Sequence, residues 1–496
     1  MMLEVKPPFK LTSLQLNLIS LFLVGAAMLV LLVAGIGYRD SQVGLFAVGG
    51  LGAAGLGALI FFRPQVGTYI LVITIFTNMS AIFTDLGLPG INKPLVALTL
   101  VSVVAARYLR RRSFQLKRVE WFLLAYGGVW LTSTFVARDR GISFEHVVDF
   151  AKEFFILLCI VYSLESQATW KRAIWLVILS AAALAALGTY QVISGNFTQT
   201  FWGFAVVTPD VTQMRLSGPI GDPNFYGQTL LAVLPLALYR LLDEKKLRLK
   251  LVAAISLGLL VFIILNTYSR GAFLGLVVVL TLTLIERRIK LSTILMIILA
   301  ASFIMPLLLP FLPHGFTERI QTLSVFASED ATVHQEASFR GRTSEMISAL
   351  MMFVEHPFLG IGVGNYEANY QDYARRLGLE YRTEERQAHS LYLEIIAETG
   401  SFGLIAFIGL FMSLIAGLYK TRRQSKRFDP PADWSTWLVS LQIGVIAYLT
   451  TSIFLHGDFI RYLWLLVALG ATAIHITGRL TVSVPSQLPA ERISPA

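Results

Sequence analysis

Charge is scarce in this sequence. Only 15% of its 496 residues are Asp, Glu, Lys or Arg, against about 25% in an ordinary soluble domain. The scarcity is local: Leu11 to Tyr38, Ser41 to Phe62, Leu251 to Ser269 and Leu291 to Pro313 carry no charge at all. Each reaches the roughly 18 apolar residues that read as a membrane-spanning helix. A soluble enzyme, a secreted disulfide scaffold and a disordered chain are thereby excluded. Cysteine is nearly absent too. Cys159 stands alone, so no intrachain disulfide or cysteine metal cluster is possible, and its place in the apolar run Phe154 to Tyr162 reads as helix packing. None of the histidines falls in an HExxH or similar pair, and no GxSxG nucleophile elbow occurs. Gly360-Ile361-Gly362-Val363-Gly364 lacks the Gly-Lys-Ser/Thr ending of a phosphate loop and reads as a turn. Neither a metal nor a cofactor is expected.

What is present is a long series of apolar segments. The mean hydropathy is +0.65, and fourteen candidate spans follow, at 14–37, 43–62, 66–84, 94–108, 120–136, 149–164, 173–193, 224–241, 251–268, 271–286, 291–313, 402–419, 434–455 and 459–477. The first is too long for a signal-peptide core and has no small-residue cleavage site after it, so it reads as a retained helix. The expected fold class is all-α, a polytopic membrane bundle of about 12–14 transmembrane helices with a large outward-facing helical loop. With both termini inside, 26 of the 41 basic residues fall in cytoplasmic segments, as the positive-inside rule requires. That rule accounts for the net charge of +10 without a nucleic-acid partner. Three features then share the outer face: the loops 194–223 and 314–401, and the tight turn His456-Gly457-Asp458. Within the larger loop, Ser344 to Val354 is helix-like, with Met346, Ile347, Leu350, Met351 and Val354 on one face, and Pro357 follows as its stop. Tyr366, Tyr370 and Tyr373 recur at helical spacing. The loop therefore reads as a cap of amphipathic helices lying against the membrane surface.

Arg270 is the most informative charge. It sits between two apolar runs at the outer boundary, where a planar fork of donors suits a phosphate; an arginine that snorkels at a helix end is the alternative. His389 heads the apolar helix that leaves the cap, and a histidine there can accept a proton from a sugar hydroxyl near neutral pH. Glu394 and Glu398, four apart on that helix, either orient it or are interfacial polar groups. Arg340 and Arg342 open the cap helix, and Arg215 precedes the turn-rich Ser217 to Asn224; surface charge is the alternative for all three. Asp458 either supports the site or pairs with Arg461. Outward-facing arginines beside one histidine suit a diphosphate-linked substrate, with the diphosphate as leaving group and the histidine activating a hydroxyl.

These residues match a family pattern. The chain resembles the bacterial O-antigen ligase and polymerase superfamily of polytopic membrane glycosyltransferases. His389, Ser390, Gly400 and Gly403 fit its motif of His, then Asn, Ser or Gln, nine residues, Gly, two residues and Gly. Arg270 and Leu274 fit its Arg-x-x-x-Leu motif. Arg340-Gly341-Arg342 running to His356-Pro357-Phe358-Leu359-Gly360 resembles its cap, and Gly221-Asp222-Pro223-Asn224 the start of its ligase-like region. The likeness spans about 215–465. It divides the chain into N-terminal transmembrane helices at 1–193, a ligase-like transmembrane region at 194–477 that includes the cap loop 314–401, and a cytoplasmic tail at 478–496. It implies a metal-independent, inverting transferase of the bacterial inner membrane with its site on the periplasmic face. The donor would be a glycan on undecaprenyl diphosphate, and the acceptor a hydroxyl of a glycan, a lipid or a protein, with membrane lipid around them. His389 and Arg270 would be catalytic, and Arg215, Arg340 and Arg342 would bind the diphosphate. A transporter of lipid-linked sugars is the reading from another class, but the matched broken helices common in transporters are not visible.

Overall fold

The computed structural model describes residues 42–210, 214–290, 292, 296, 337–379, 386–425, 432–457 and 460–483. Of the expected spans, 14–37 lies outside these residues and 291–313 lies outside them except at 292 and 296. The other twelve each coincide with helix. In order the helices are α1 (Gln42–Phe62), α2 (Pro64–Phe76), α3 (Met79–Asp85), α4 (Asn92–Leu109), α5 (Arg118–Ser133), α6 (Arg140–Ser163) and α7 (Gln167–Ser194), then α8 (Pro223–Asp243), α9 (Leu247–Asn266) and α10 (Arg270–Arg287). After them come α11 (Ala337–Glu355), α12 (Tyr366–Arg376), α13 (Leu391–Ser425), α14 (Ala432–Thr451) and α15 (Arg461–Ser483). The protein is an all-α polytopic bundle. Among the described residues, five helices (α7, α8, α9, α13 and α15) are each long and apolar enough to cross a membrane by themselves. A sixth span is possible where α1 and α2 meet at a bend of 116°. Pro64 stands at the first turn of α2, where its missing N–H costs nothing and its ring ends the helix before it.

Small residues let the central helices approach. A Cβ on Gly444 of α14 would lie 2.4 Å from the Ala232 carbonyl oxygen of α8, and one on Gly275 of α10 would strike Leu231 and Thr451. Close backbone contact of this kind replaces the hydrophobic drive that lipid removes. Polar groups add directional ties: Trp170 Nε1 donates to the Leu469 carbonyl at 2.7 Å, and the Arg240 guanidinium lies 3.6 Å over the Trp437 ring.

Two departures from the sequence reading concern the loops. The segment 194–223 contains a short antiparallel hairpin, β1 (Val206–Pro209) and β2 (Met214–Gly218), with Thr208 opposite Arg215. The last cap segment also belongs to the bundle: α13 begins at Leu391, inside the expected cap loop 314–401, and is broken by Gly400 rather than starting near 402. The cap has a small core of its own, built on Ala349, Met352, Tyr366, Tyr370 and Tyr373. On α11 the face of Met346, Ile347, Leu350 and Val354 is exposed, while Ser344, Glu345, Ser348 and Ala349 are buried. An apolar face turned outward is what an interfacial helix offers to lipid.

Candidate active site

The cap is joined to the bundle through backbone. Gly400 takes φ 62 and ψ −160, a combination essentially open to glycine alone, and the break frees groups that a continuous helix would pair. The turn after α11 supplies their partners. Ser401 N donates to the Pro357 carbonyl at 2.8 Å, Ile361 N to that of Ala397 at 2.9 Å, and Gly362 N to that of Glu398 at 3.0 Å. A Cβ on Gly360 would lie 2.2 Å from the Glu398 carbonyl carbon, and one on Gly400 would lie 2.4 Å from that of Phe358. The His-Pro-x-x-Gly turn and the glycine of the histidine motif are thus two halves of one junction. Gly362 and Gly364 extend it, packing against Ala137 and His146 of the N-terminal half.

His389 sits just before α13 in the left-handed region, at φ 46, where a residue with a Cβ is uncommon. Leu391 N donates to the carbonyls of Ser452 and Leu455, which fixes the start of the helix against the turn after α14. His389 Nε2 stands at ion-pair distance, 3.5 Å, from Glu345 Oε2 of α11. Glu345 is buried, with a side chain 2% exposed, and its other oxygen is 3.9 Å from Arg386. A buried carboxylate facing one ring nitrogen at this distance acts on the histidine through charge and leaves the other nitrogen to take a proton. The Tyr366 hydroxyl donates to the Glu345 carbonyl at 2.6 Å, and burial, with the Glu345 charge next, pushes that phenol far up. The His456 ring lies 5.7 Å from His389 and 4.9 Å from Phe225 at the start of α8.

The arginines approach the same end from the other side. Ser269 caps α10 by accepting from Ala272 N, placing Arg270 in the first turn. A Cβ on the next residue, Gly271, would be 3.9 Å from Phe454, two positions before His456. On β2, Arg215 Nε donates to the Thr267 carbonyl and its Nη2 to Asn224 Oδ1, both at 3.0 Å, and Asp222 caps α8 beside it. His389, Arg270 and Arg215 are therefore brought to one end of the bundle. Arg342 is exposed on α11, one turn before Glu345. The Arg340 side chain and Asp458 lie outside the described residues, and Arg461 donates to Asn78 Oδ1 at 3.2 Å. Glu394 Oε2 accepts from Gly457 N at 2.8 Å and Glu398 Oε1 from Tyr366 N at 3.0 Å, so both carboxylates brace loops. Glu345, Arg386 and His456 were missed by sequence reasoning. A carboxylate directly ahead of the apolar run Met346 to Val354 of α11 was the available signal for Glu345.

A bundle of apolar helices with a half-exposed histidine, a buried carboxylate and arginines at its capped end defines a polytopic membrane protein with a cluster of polar groups at one end. Residues 253–408 match the family model described as O-antigen ligase, and this region, which holds Arg270, Glu345 and His389, is O-antigen ligase-like. The match over this region supports a membrane glycosyltransferase-like role in polysaccharide biosynthesis. No curated protein matches the chain.

Proposed function

We propose that the protein transfers a glycan from an undecaprenyl-diphosphate carrier to an acceptor hydroxyl, at a site facing the periplasm. The observation that carries this reading is the 3.5 Å approach of His389 to buried Glu345, at the end of the bundle where the helix bearing Arg270 begins, inside the O-antigen ligase-like region. His389 takes the proton from the acceptor hydroxyl while that oxygen bonds to the anomeric carbon. The bond from that carbon to the diphosphate breaks, and the carrier diphosphate leaves with the electron pair. Arg270 and Arg215, with Arg342 and Arg340 at the cap, steady the charge that develops on it. No metal is assigned a part, and attack opposite the leaving group inverts the anomeric centre. Ligation to a lipid, polymerisation of lipid-linked units and transfer to a protein hydroxyl all use this chemistry.

The test is glycan transfer by purified, reconstituted protein with its lipid-linked donor. His389→Ala should lower the rate by about 10²–10⁴-fold, the usual contribution of a general base, while donor binding persists. Full transfer by His389→Ala removes the assignment. Passage of the donor across the bilayer without bond formation by the wild type would establish the transporter instead.

A further inference from the structure

Behind the His389 pair lies a half-open cavity of about 680 Å³, lined by α3, α4, α5 and α6 of the N-terminal half together with α13 and α15. Trp130, Phe150 and Trp464 form an aromatic wall, with ring centroids 5.1 and 5.7 Å apart in sequence. Four carboxylates share the rest of the lining with Lys93, Lys152, Arg461, His146 and apolar side chains, and most of the carboxylates are already engaged: Asp149 pairs with Lys152, while Glu394 and Glu398 hold Gly457 N and Tyr366 N. Glu153 is different. Among the described residues it makes no hydrogen bond or ion pair, and its charged neighbours are Arg461, Asp149 and Lys152. Asn92 Oδ1, on another wall, is buried without a hydrogen-bond partner among the described residues.

Acceptors without donors in a largely apolar cavity cost free energy until a donor arrives. Hydroxyl groups would supply it, and the apolar C–H face of a pyranose fits an aromatic wall. A diphosphate would meet four carboxylates against three cations, Lys93, Lys152 and Arg461, of which Lys152 already pairs with Asp149 and Arg461 donates to Asn78. The cavity also adjoins the histidine. Leu391 lines it two residues from His389, and Gly457 lines it beside His456, whose ring is 5.7 Å from His389.

We propose that this cavity binds the acceptor glycan, one sugar resting on the Trp130–Phe150–Trp464 wall and donating hydroxyls to Glu153, so that the reacting hydroxyl emerges at His389. The inference rests on the transferase reading above. The donor and acceptor thus approach His389 from opposite sides: the carrier diphosphate from the Arg215 and Arg270 side, the acceptor from the helices of the N-terminal half.

The experiment uses full-length Ala97→Cys, a cavity-lining position, in a Cys159→Ala background, with Val96→Cys as a second position. An impermeant sulfonated methanethiosulfonate is added from the periplasmic side, and modification is followed by mass. The same protein is assayed before modification, after it, and after release of the adduct with dithiothreitol, so each preparation is its own folding control. Modification should raise the KM for the acceptor at least tenfold, leave the donor KM unchanged, and reverse on release. Glu153→Gln should raise the acceptor KM several-fold with little change in kcat. Complete modification with both KM values unchanged overturns the proposal, as does a rise confined to the donor, modification from the opposite side only, or an unaltered acceptor KM in Glu153→Gln. Absence of transfer by the wild type would remove the transferase reading itself, and this inference with it.

Discussion

The two ends of the bundle are held by different means. At the capped end the tightest contacts are backbone on backbone, with Gly360, Gly362 and Gly400 admitting approaches that any Cβ would block, and Asn365 and the Arg138–Asp372 pair add side-chain ties beside them. At the opposite end charged side chains are the fastening. Arg287 forks onto Asp243 and Arg422 onto Glu286, while Arg107, Arg110 and Arg112 converge on Glu165. The difference has a chemical reason. Where the fold is fixed by glycine geometry, a histidine and its carboxylate can be placed for reaction rather than for cohesion. Where charges fasten the fold, they also supply the basic face that the positive-inside rule expects toward the cytoplasm.

The sharpest way to break this comparison is to add one methyl group at the capped end. Gly400→Ala places a Cβ 2.4 Å from the Phe358 carbonyl carbon at φ 62, so backbone strain and overlap act together. A loss of roughly 3 kcal/mol or more is expected, read as a large fall in Tm in detergent and loss of transfer. Gly258→Ala is the control. It lies in helical α9 with nothing within 4 Å of its new Cβ, so it should be neutral or slightly stabilising. Equal Tm values for the two variants would end the argument for a glycine-built junction.

The next largest effect concerns Glu345. With its side chain 2% exposed and 3.5 Å from His389, it acts as a positioning residue, and misplacing a base by about 1 Å costs on the order of 10²-fold. Glu345→Gln should lower kcat by roughly 10–10²-fold with both KM values retained, and Glu345→Asp should recover part of it. A change in KM with kcat intact would show that Glu345 only supports the cap.

How much of this was legible beforehand differs between fold and site. The helices were, because charge-free runs have few alternatives, and all twelve candidate spans within the described residues coincide with helix. The hairpin at Val206–Gly218 was not, since four- and five-residue strands leave little periodicity to read. The break within 66–84 was also invisible: Asn78 adopts φ 54 between α2 and α3, a conformation asparagine tolerates but does not announce. Arg270 and His389 stood out as polar groups against apolar surroundings. Glu345 did not, because its burial depends on α12 and on the segment before α13, far away in sequence. The two glycine motifs were readable separately; that they meet was a tertiary fact.

A smaller effect comes from pH at the cap surface. The Tyr373 hydroxyl, 2.6 Å from Glu355 Oε2, and the Arg376 guanidinium hold that carboxyl below its usual range. Because the folded value is depressed, the contribution is complete above the unfolded carboxyl pKa of about 4.3. It is lost as pH falls through the lower folded value. Hydrogen exchange in α12 should therefore be faster in Glu355→Gln than in wild type at neutral pH, with the two converging as the pH falls through the depressed folded value. A difference that persists in acid would assign the effect to packing rather than to charge.

The smallest effect is expected at the end fastened by charge. Arg422 donates through its Nη1 to Glu286 at 2.9 Å and through its Nη2 to the other oxygen, and its Nε donates to Ser435 Oγ at 3.2 Å. The geometry is a good bidentate fork, yet both side chains keep solvent contact, at 19% and 30% exposure. Exposed pairs typically couple by about 0.2–1 kcal/mol, because ordering two long side chains and losing hydration offset most of the attraction. A double-mutant cycle of Arg422→Gln and Glu286→Gln, read by unfolding in detergent, should therefore return a coupling below about 1 kcal/mol. Transfer should be unchanged in all three variants, since these side chains lie at the far end from His389. Added salt should shrink the coupling further, as it does for solvent-exposed pairs. Coupling of several kcal/mol that resists salt would mean that the pair is desolvated in the bilayer interface. In that case the two ends would be alike in rigidity and differ only in the chemistry that makes them rigid.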